Sequence, residues 1–331
     1  MLTPEISKII SDAYGLDDIV SIEKVEEGVI NHNYILASTK GKYFLKTNSI
    51  KIKEAVPYTY TAENFMSMKG VPAVTMLKTT DGQIYLEFEG MIYTLYPYIE
   101  SDRGHNYLLE DYFRMGEMLA KIHVVGNKDI PQIFVERRGD KRLKETSVEI
   151  LQIWKDRIMA IEGRTEIDDM FLKDIEFKLR TVADFEDMQP AERDTLLHGD
   201  FQTGNILLDK NTREIIGVCD WEKAMYSFRA YEIARSIMYI CFEDKSLNSE
   251  NSYVTTKSFL QGYQSIYPIS RKELIYGLRY RTYTTLLSSW IQNYYYNQGS
   301  DRANKFLSFE MTRMKIFTDS KNLEKIAAFL E

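Results

Sequence analysis

The stretch His198-Gly199-Asp200-Phe201-Gln202-Thr203-Gly204-Asn205 sets a carboxylate five residues before an amide, and Asp220-Trp221-Glu222 returns a second carboxylate downstream. Between them, Asn205 to Asp209 and Ile215 to Asp220 read as two strands, with polar Lys210 to Glu214 as the bend of a hairpin. With the bend centred between Thr212 and Arg213, Asn205 faces Asp220 and Asp209 faces Ile216, so two oxygen-bearing side chains meet at one end of the ribbon. Phosphoryl transfer needs a carboxylate to orient a hydroxyl, hard oxygen ligands for magnesium and positive groups on the phosphates. On this reading Asp200 accepts the hydroxyl proton, and Asn205 and Asp220 hold Mg2+.

Working outward, the residues before this loop divide into two regimes. After an amphipathic helix within Met1 to Asp18, β-branched and aromatic residues mark strands at Ile19 to Glu26, Val29 to Ser38 and Lys42 to Thr47, a three-strand meander. A helix opens at Pro57 and stops before Gly70. Further strands are expected at Val74 to Lys78 and Gln83 to Phe88, joined by a turn at Asp81-Gly82, and at Met91 to Tyr96. Beyond Pro97 the apolar spacing turns helical: Leu109 to His123, Glu149 to Glu162, Ile167 to Asp187, one long series from Lys272 to Tyr296, Phe306 to Phe317 and Leu323 to Leu330. The expectation is an α+β chain of two lobes, residues 1–97 with an antiparallel sheet and 98–331 mainly helical.

The His198-Gly199-Asp200 and Asn205 pattern, with Asp220-Trp221-Glu222 beyond a hairpin, resembles the aminoglycoside phosphotransferase and choline kinase superfamily. These are small-molecule kinases with a bilobal, protein-kinase-like fold. The resemblance spans most of the first 235 residues. It implies that Gly28, Asn31 and Tyr34 form a turn over the nucleotide phosphates, for which an ordinary strand turn is the other reading. It implies that Lys46, ending the strand Lys42-Tyr43-Phe44-Leu45-Lys46, contacts the α and β phosphates, with Glu63 on the next helix as its ion-pair partner. Without that context the two would be an ordinary solvated lysine and glutamate. Tyr96-Pro97-Tyr98-Ile99 resembles the hinge whose main chain meets adenine. The sequence departs from the family where Gln202 replaces a histidine and where Tyr231-Glu232-Ile233-Ala234 replaces an Asp-Leu-Ala ending; Glu232 is expected to keep that aspartate's salt-link role. The implied reaction moves the γ-phosphate of ATP to a hydroxyl of a small molecule: a choline-like amino alcohol, homoserine, a sugar or an aminoglycoside. A relative of another class, a nucleotide-binding or spore-coat-like structural protein without turnover, shares the same fold.

Composition bounds these readings. The 331 residues carry 42 Lys plus Arg against 49 Asp plus Glu, a net charge of −7, which argues against nucleic acid as a partner. The negative balance and Glu222 lean toward a cationic or polyhydroxylated acceptor. The two cysteines suit a reducing, cytoplasmic setting, and no apolar run reaches the length of a membrane span, so no membrane is expected. Cys219 is expected to point away from the metal-ligating face as a buried thiol. His198 is expected to brace its loop, and His123 to pack within its helix. Of the aromatic cluster Trp290, Tyr294, Tyr295 and Tyr296, the first two are assigned to the core.

Overall fold

A computed structural model describes residues 2–25, 32–102, 106–136, 144–243 and 250–331. Helix α1 (Pro4–Tyr14) begins where the Thr3 hydroxyl accepts from Ile6 N and Pro4 pre-sets the first turn, and it ends at Gly15 in the left-handed region. It covers one face of an antiparallel sheet ordered β1 (Ile19–Val25), β2 (His32–Ser38), β3 (Gly41–Ser49), β5 (Met91–Pro97), β4 (Leu86–Phe88), with α2 (Val56–Met68) between β3 and β4. Strand alternation then sorts the side chains: Tyr34, Leu36, Leu45, Tyr93 and Leu95 bury against Ile10 and Tyr14, while Phe44, Ile92 and Tyr96 join a second cluster on the opposite face. Lys46, next to Leu45 on β3, therefore faces that second side, where a cavity opens.

The strand expected at Val74 to Lys78 does not form. Three successive donors there find three different partners: Val74 N goes to Val218 O at 2.9 Å, Met76 N to the Glu63 carboxylate at 3.0 Å, and Leu77 N to Leu95 O at 2.8 Å. Val218 N donates in turn to Pro72 O at 2.7 Å. The segment thus stitches the sheet to the second half of the chain instead of extending a ladder. The strand expected from Gln83 shrinks to β4, after a turn closed by Thr79 and Gln83.

Beyond Pro97 the chain is mainly helical: α3 (Leu109–Gly126), α4 (Gln132–Glu136), α5 (Lys144–Met159) and α6 (Glu166–Ala183), then, after two strand pairs, α7 (Arg229–Ser236), α8 (Glu250–Ile266), α9 (Arg271–Leu286), α10 (Trp290–Gln298), α11 (Leu307–Phe317) and α12 (Ser320–Ala327). The series expected as one helix from Lys272 to Tyr296 is broken at Leu287 to Ser289, where the buried Lys178 ammonium takes the Ser288 carbonyl at 2.9 Å. Helices α3 and α8 approach until their backbones touch: a Cβ on Gly116 would lie 2.0 Å from Phe259 O, and one on Gly262 2.0 Å from Phe113 O. The largest core lies in this half and also takes in Ala62, Phe65 and Met66 of α2. Among the described residues no helix is long and apolar enough to cross a membrane.

The strand pairs are β6 (Thr195–Leu197) with β9 (Met225–Ser227), and β7 (Ile206–Leu208) with β8 (Ile215–Val218). The second is the expected hairpin, but in a different register: Ile206 faces Val218 and Leu207 faces Gly217, with an irregularity before Leu208 and Ile215. Asn205 therefore faces Cys219, whose N–H it accepts at 2.9 Å, and not Asp220. The bend explains the shift. The Asp209 carboxylate accepts from Asn211 N and Thr212 N at 2.8 Å, and Arg213 adopts φ 58°, closing the turn earlier than its polar residues suggest. Asp220, at φ 68°, then leaves strand geometry and enters the same cavity as Asn205.

Arg213 also fixes where the hairpin sits. Its guanidinium holds Asp102 at 2.9 Å and the buried Asp111 carboxylate, at the start of α3, at 2.5 Å. Replacing it by Ala would strand Asp111 without its cation, at a cost of about 3 kcal/mol. Arg213→Ala should lower the thermal unfolding midpoint by ~4 °C, with Arg213→Lys recovering only part of the loss; calorimetric melts of the three proteins check this.

Candidate active site

The loop from His198 to Asn205 owes its shape to one carboxylate. Glu232, fully buried on α7, accepts from His198 N at 3.0 Å, from Gly199 N and from His123 Nε2 at 3.0 Å. Burial opposes its charge, but His123 and these donors outweigh that and hold its pKa below the usual range. Gly199 lies at φ 80°, and a Cβ there would fall 2.0 Å from Lys223 O, so the loop backbone rests directly on the segment after Asp220. His198 braces the loop as expected: Nε2 meets Cys219 O at 3.0 Å and Nδ1 accepts from Asp200 N at 3.1 Å. Burial pushes its pKa down, which favours the neutral ring that this pairing requires.

Asp200 is clamped between two cations. Lys223 reaches one carboxylate oxygen at 2.8 Å and Arg235 the other. Burial would raise its pKa, yet the Arg235 guanidinium and Lys223 ammonium outweigh this and hold it at about 2. Asn205 gives its amide nitrogen to Asp200 O at 2.8 Å, which leaves its side-chain oxygen for a cation. Lys46 donates to Asp220 at 2.8 Å and to Glu222 at 3.0 Å. Burial works against this ammonium, but the two carboxylates more than compensate and keep its pKa well above the ordinary lysine value. Burial likewise works against the Asp220 carboxylate, and Lys46 holds its pKa down.

Asp200, Asn205, Asp220, Lys46, Tyr96, Tyr98 and Ile99 line one cavity of about 1440 Å³. Gly28 and Asn31 lie outside the described residues. Glu63 is brought close but not into the expected pair. Its carboxylate accepts from Met76 N at 3.0 Å and meets Tyr96 OH at 3.1 Å, and no Lys46–Glu63 ion pair forms among the described residues. Lys46 is taken instead by carboxylates from the other half, so Glu222 serves as a lysine partner and gives no lean toward a cationic acceptor. Cys219 lines the cavity rather than pointing away, because the shifted register turns it inward. Trp290 and Tyr294 pack against an apolar cluster as expected and also line the cavity, and Tyr295 and Tyr296 join the same cluster, Tyr296 stacking on Trp154 and Tyr295 packing on Phe171.

Sequence reasoning missed Lys223 and Arg235, the partners of Asp200. The available signal was helical spacing, since Arg235 lies three residues after Glu232 and shares its side of α7. It also missed Arg281 and Arg313, which line the far end of the cavity with Trp290.

A family model described as "Phosphotransferase enzyme family" matches residues 21–263. Over 265 residues the chain is 25% identical to the homoserine kinase of Neisseria meningitidis serogroup B, covering 80% of this chain and 79% of that protein. It is 22% identical to the homoserine kinase of Bartonella tribocorum, covering 82% and 80%. The fold is similar to that of spectinomycin phosphotransferase APH(9)-Ia, solved with ADP and spectinomycin, with a TM-score of 0.67 at 17% identity over 99% of this chain and 98% of that one. It is also similar to that of an amicoumacin kinase solved in complex with AMP-PNP, Ca2+ and Ami, with a TM-score of 0.63 at 14% identity over 94% and 92%.

The environment of Glu63 has a measurable consequence. Burial pushes its pKa from the ordinary 4.5 to about 8, outweighing its hydrogen bonds and the nearby Lys46. Because the folded state binds this proton more tightly than the unfolded chain, the contribution to stability is full below pH 4.5 and is lost as pH rises toward 8. Glu63→Gln should remove that slope, of up to ~1 kcal/mol per pH unit, leaving the variant more stable than the parent at pH 8.5. Urea unfolding at pH 6 and pH 8.5 measures the difference.

Proposed function

Since the chain belongs to the phosphotransferase enzyme family, we propose that it transfers the γ-phosphate of ATP at the cavity where Asp200, Asn205, Asp220 and Lys46 converge. The protein is a kinase that acts on a hydroxyl of a small molecule. In this reading a nucleotide lobe, residues 1–97, and a catalytic lobe, residues 98–331, enclose the cavity, and the reaction is cytoplasmic. Homoserine is the acceptor favoured by the curated relatives.

The donor set fits a hard divalent cation. The Asn205 amide oxygen and the Asp220 carboxylate are oxygen ligands of the kind magnesium takes, and Asp220 already holds the Lys46 ammonium at 2.8 Å. When bound, Mg2+ would neutralise charge on the transferring phosphates. Lys46 aims its ammonium at the phosphates, and Tyr96, Tyr98 and Ile99 border the adenine end of the cavity.

Asp200 orients the acceptor hydroxyl. A carboxylate held at about 2 is too weak a base to remove an alcohol proton early. The proton therefore moves late, as the new oxygen–phosphorus bond forms and the bond to the leaving phosphate oxygen breaks, and then passes to solvent. Such timing suits a loose transition state in which positioning and charge carry most of the catalysis. Lys223, beside Asp200 and more than half exposed, is placed to meet charge on the transferring group.

The observation that supports this reading most is the gathering of Asp200, Asn205, Asp220 and Lys46 on one cavity. Asp200→Asn should lower kcat for the acceptor by ~10²- to 10⁴-fold while leaving the KM for ATP within a few-fold. Asp220→Ala should abolish magnesium-dependent nucleotide binding in calorimetry. Wild-type protein that binds no nucleotide with magnesium would overturn the proposal.

A further inference from the structure

Three guanidinium groups converge at the end of the cavity away from the sheet. The Cζ atoms of Arg235, Arg313 and Arg281 lie 4.7, 4.6 and 5.8 Å from the centre of the Tyr239 ring. Arg235 comes from α7, Arg281 from α9 and Arg313 from α11, so three helices deliver like charges to one spot. Arg235 is ion-paired, to Asp200. The other two are bonded to neutral oxygens: Arg281 to Tyr231 OH at 3.0 Å and Tyr239 OH at 3.4 Å, and Arg313 to the Phe242 carbonyl at 3.0 Å. Glu310 lies nearby and its charge favours the ionised Arg281 and Arg313; Oε1 accepts from Tyr239 OH and Trp290 Nε1, and Oε2 is buried without a partner among the described residues.

The cluster leaves more donors than acceptors unpaired among the described residues, three guanidinium nitrogens against the single Glu310 Oε2. Arg235 Nη1, Arg281 Nε and Arg313 Nη1 are buried without hydrogen-bond partners among the described residues, and Arg235 and Arg313 are only 7% and 6% exposed. Buried guanidinium donors left in this state cost free energy that an oxyanion recovers through charge-assisted, often bidentate, bonds. Burial draws the Arg313 pKa below the ordinary arginine value, with Arg235 adding to the shift and Tyr239, Glu310 and Glu243 opposing it. All three side chains line the cavity that contains Asp200, and Arg235 touches Asp200 itself. An anion held here lies within a short molecule's length of the group that orients the hydroxyl.

We propose that Arg235, Arg281 and Arg313 form the anion subsite for the phosphate acceptor, so that the molecule phosphorylated carries a carboxylate or a phosphate on a short chain from its reactive hydroxyl. This rests on the phosphotransfer reading above and narrows it: cationic amino alcohols and aminoglycosides lack the group that the arginines select.

The test uses the full chain and matched acceptors. ADP release is followed with L-homoserine and glycerol 3-phosphate as the carboxylate and phosphate arms, and with homoserinol, choline, glucose and kanamycin as acceptors without an anion. The expected result is turnover with at least one anionic acceptor, with kcat/KM at least 100-fold above its uncharged or cationic counterparts. Arg281→Gln and Arg313→Gln should each raise the KM for that acceptor tenfold or more while leaving the KM for ATP within twofold, and Arg281→Lys should recover part of the loss. Equal or faster turnover of homoserinol, choline, glucose or kanamycin would overturn the subsite and leave the kinase reading standing. So would variants with an unchanged KM for the anionic acceptor. Should the variants fail to fold, calorimetry on the wild type decides: the magnesium complex of AMP-PNP should bind, and L-homoserine or glycerol 3-phosphate should then bind in competition with chloride. Nucleotide binding with no binding of either anion refutes the subsite alone, whereas no nucleotide binding refutes the phosphotransfer reading beneath it.

Discussion

The site depends on one buried carboxylate that touches no cavity wall. Glu232 accepts from two consecutive backbone donors, His198 and Gly199, and from the His123 ring, whose other nitrogen meets Tyr263 OH at 2.9 Å. It thereby fixes the loop relative to α7, α3 and α8 at once. Its charge survives burial only because every neighbour is a donor. With the loop so fixed, Asp200 follows two residues later and Asn205 is tied to it through the Asp200 carbonyl. The position of the Asp200 carboxylate is thus inherited from a group of the helical core.

Charge alternates along the cleft in a way that keeps Asp200 and Asp220 ionised. Lys46 sits between Asp220 and Glu222, and Asp200 sits between Lys223 and Arg235. Each ion has a partner of opposite sign from another element, so the two halves of the chain are held partly by the groups that would contact nucleotide. In the proposed reaction, phosphates entering the cavity would offer Lys46 new partners and would free Asp220 oxygens for a cation.

Much of this was legible in the sequence, and the failures share a physical origin. The meander, α2, α3, α5, α6, α11 and α12 follow from local periodicity and turn residues and form close to where that pattern places them, whereas α4, α7 and α8 were not read and the series after Lys272 divides into α9 and α10. The hairpin between Asn205 and Asp220 was readable as a hairpin but not in its register, because the bend is closed by Asp209 side-chain bonds and a left-handed Arg213. The strand at Val74 had the right composition; its donors were claimed by Val218, Glu63 and Leu95, none of which is near in sequence. Lys46 and Glu63 were each assigned a partner by resemblance, whereas pairing across the cleft is decided by which carboxylates come nearest. Lys223, Arg281 and Arg313 carry no local pattern, since their placement is a product of tertiary packing alone.

The fate of Glu63 separates this cleft from one governed by movement of the helix in the first lobe. In protein kinases the lysine–glutamate pair is made or broken as that helix moves. Here Ala62, Phe65 and Met66, on the same helix as Glu63, are built into the large core of the second lobe, and the Glu63 carboxyl is occupied by Met76 N and Tyr96 OH. Swinging Glu63 toward Lys46 would pull apolar side chains out of that core and strip a backbone donor of its acceptor, each a cost of order 1–3 kcal/mol. A helix anchored in this way makes a poor switch. The freedom that remains belongs to Lys46, whose ammonium can pass between Asp220, Glu222 and phosphate oxygens by rotation about its own side-chain bonds. Readiness for the reaction is then set by what enters the cavity and not by a rearrangement of the fold around it.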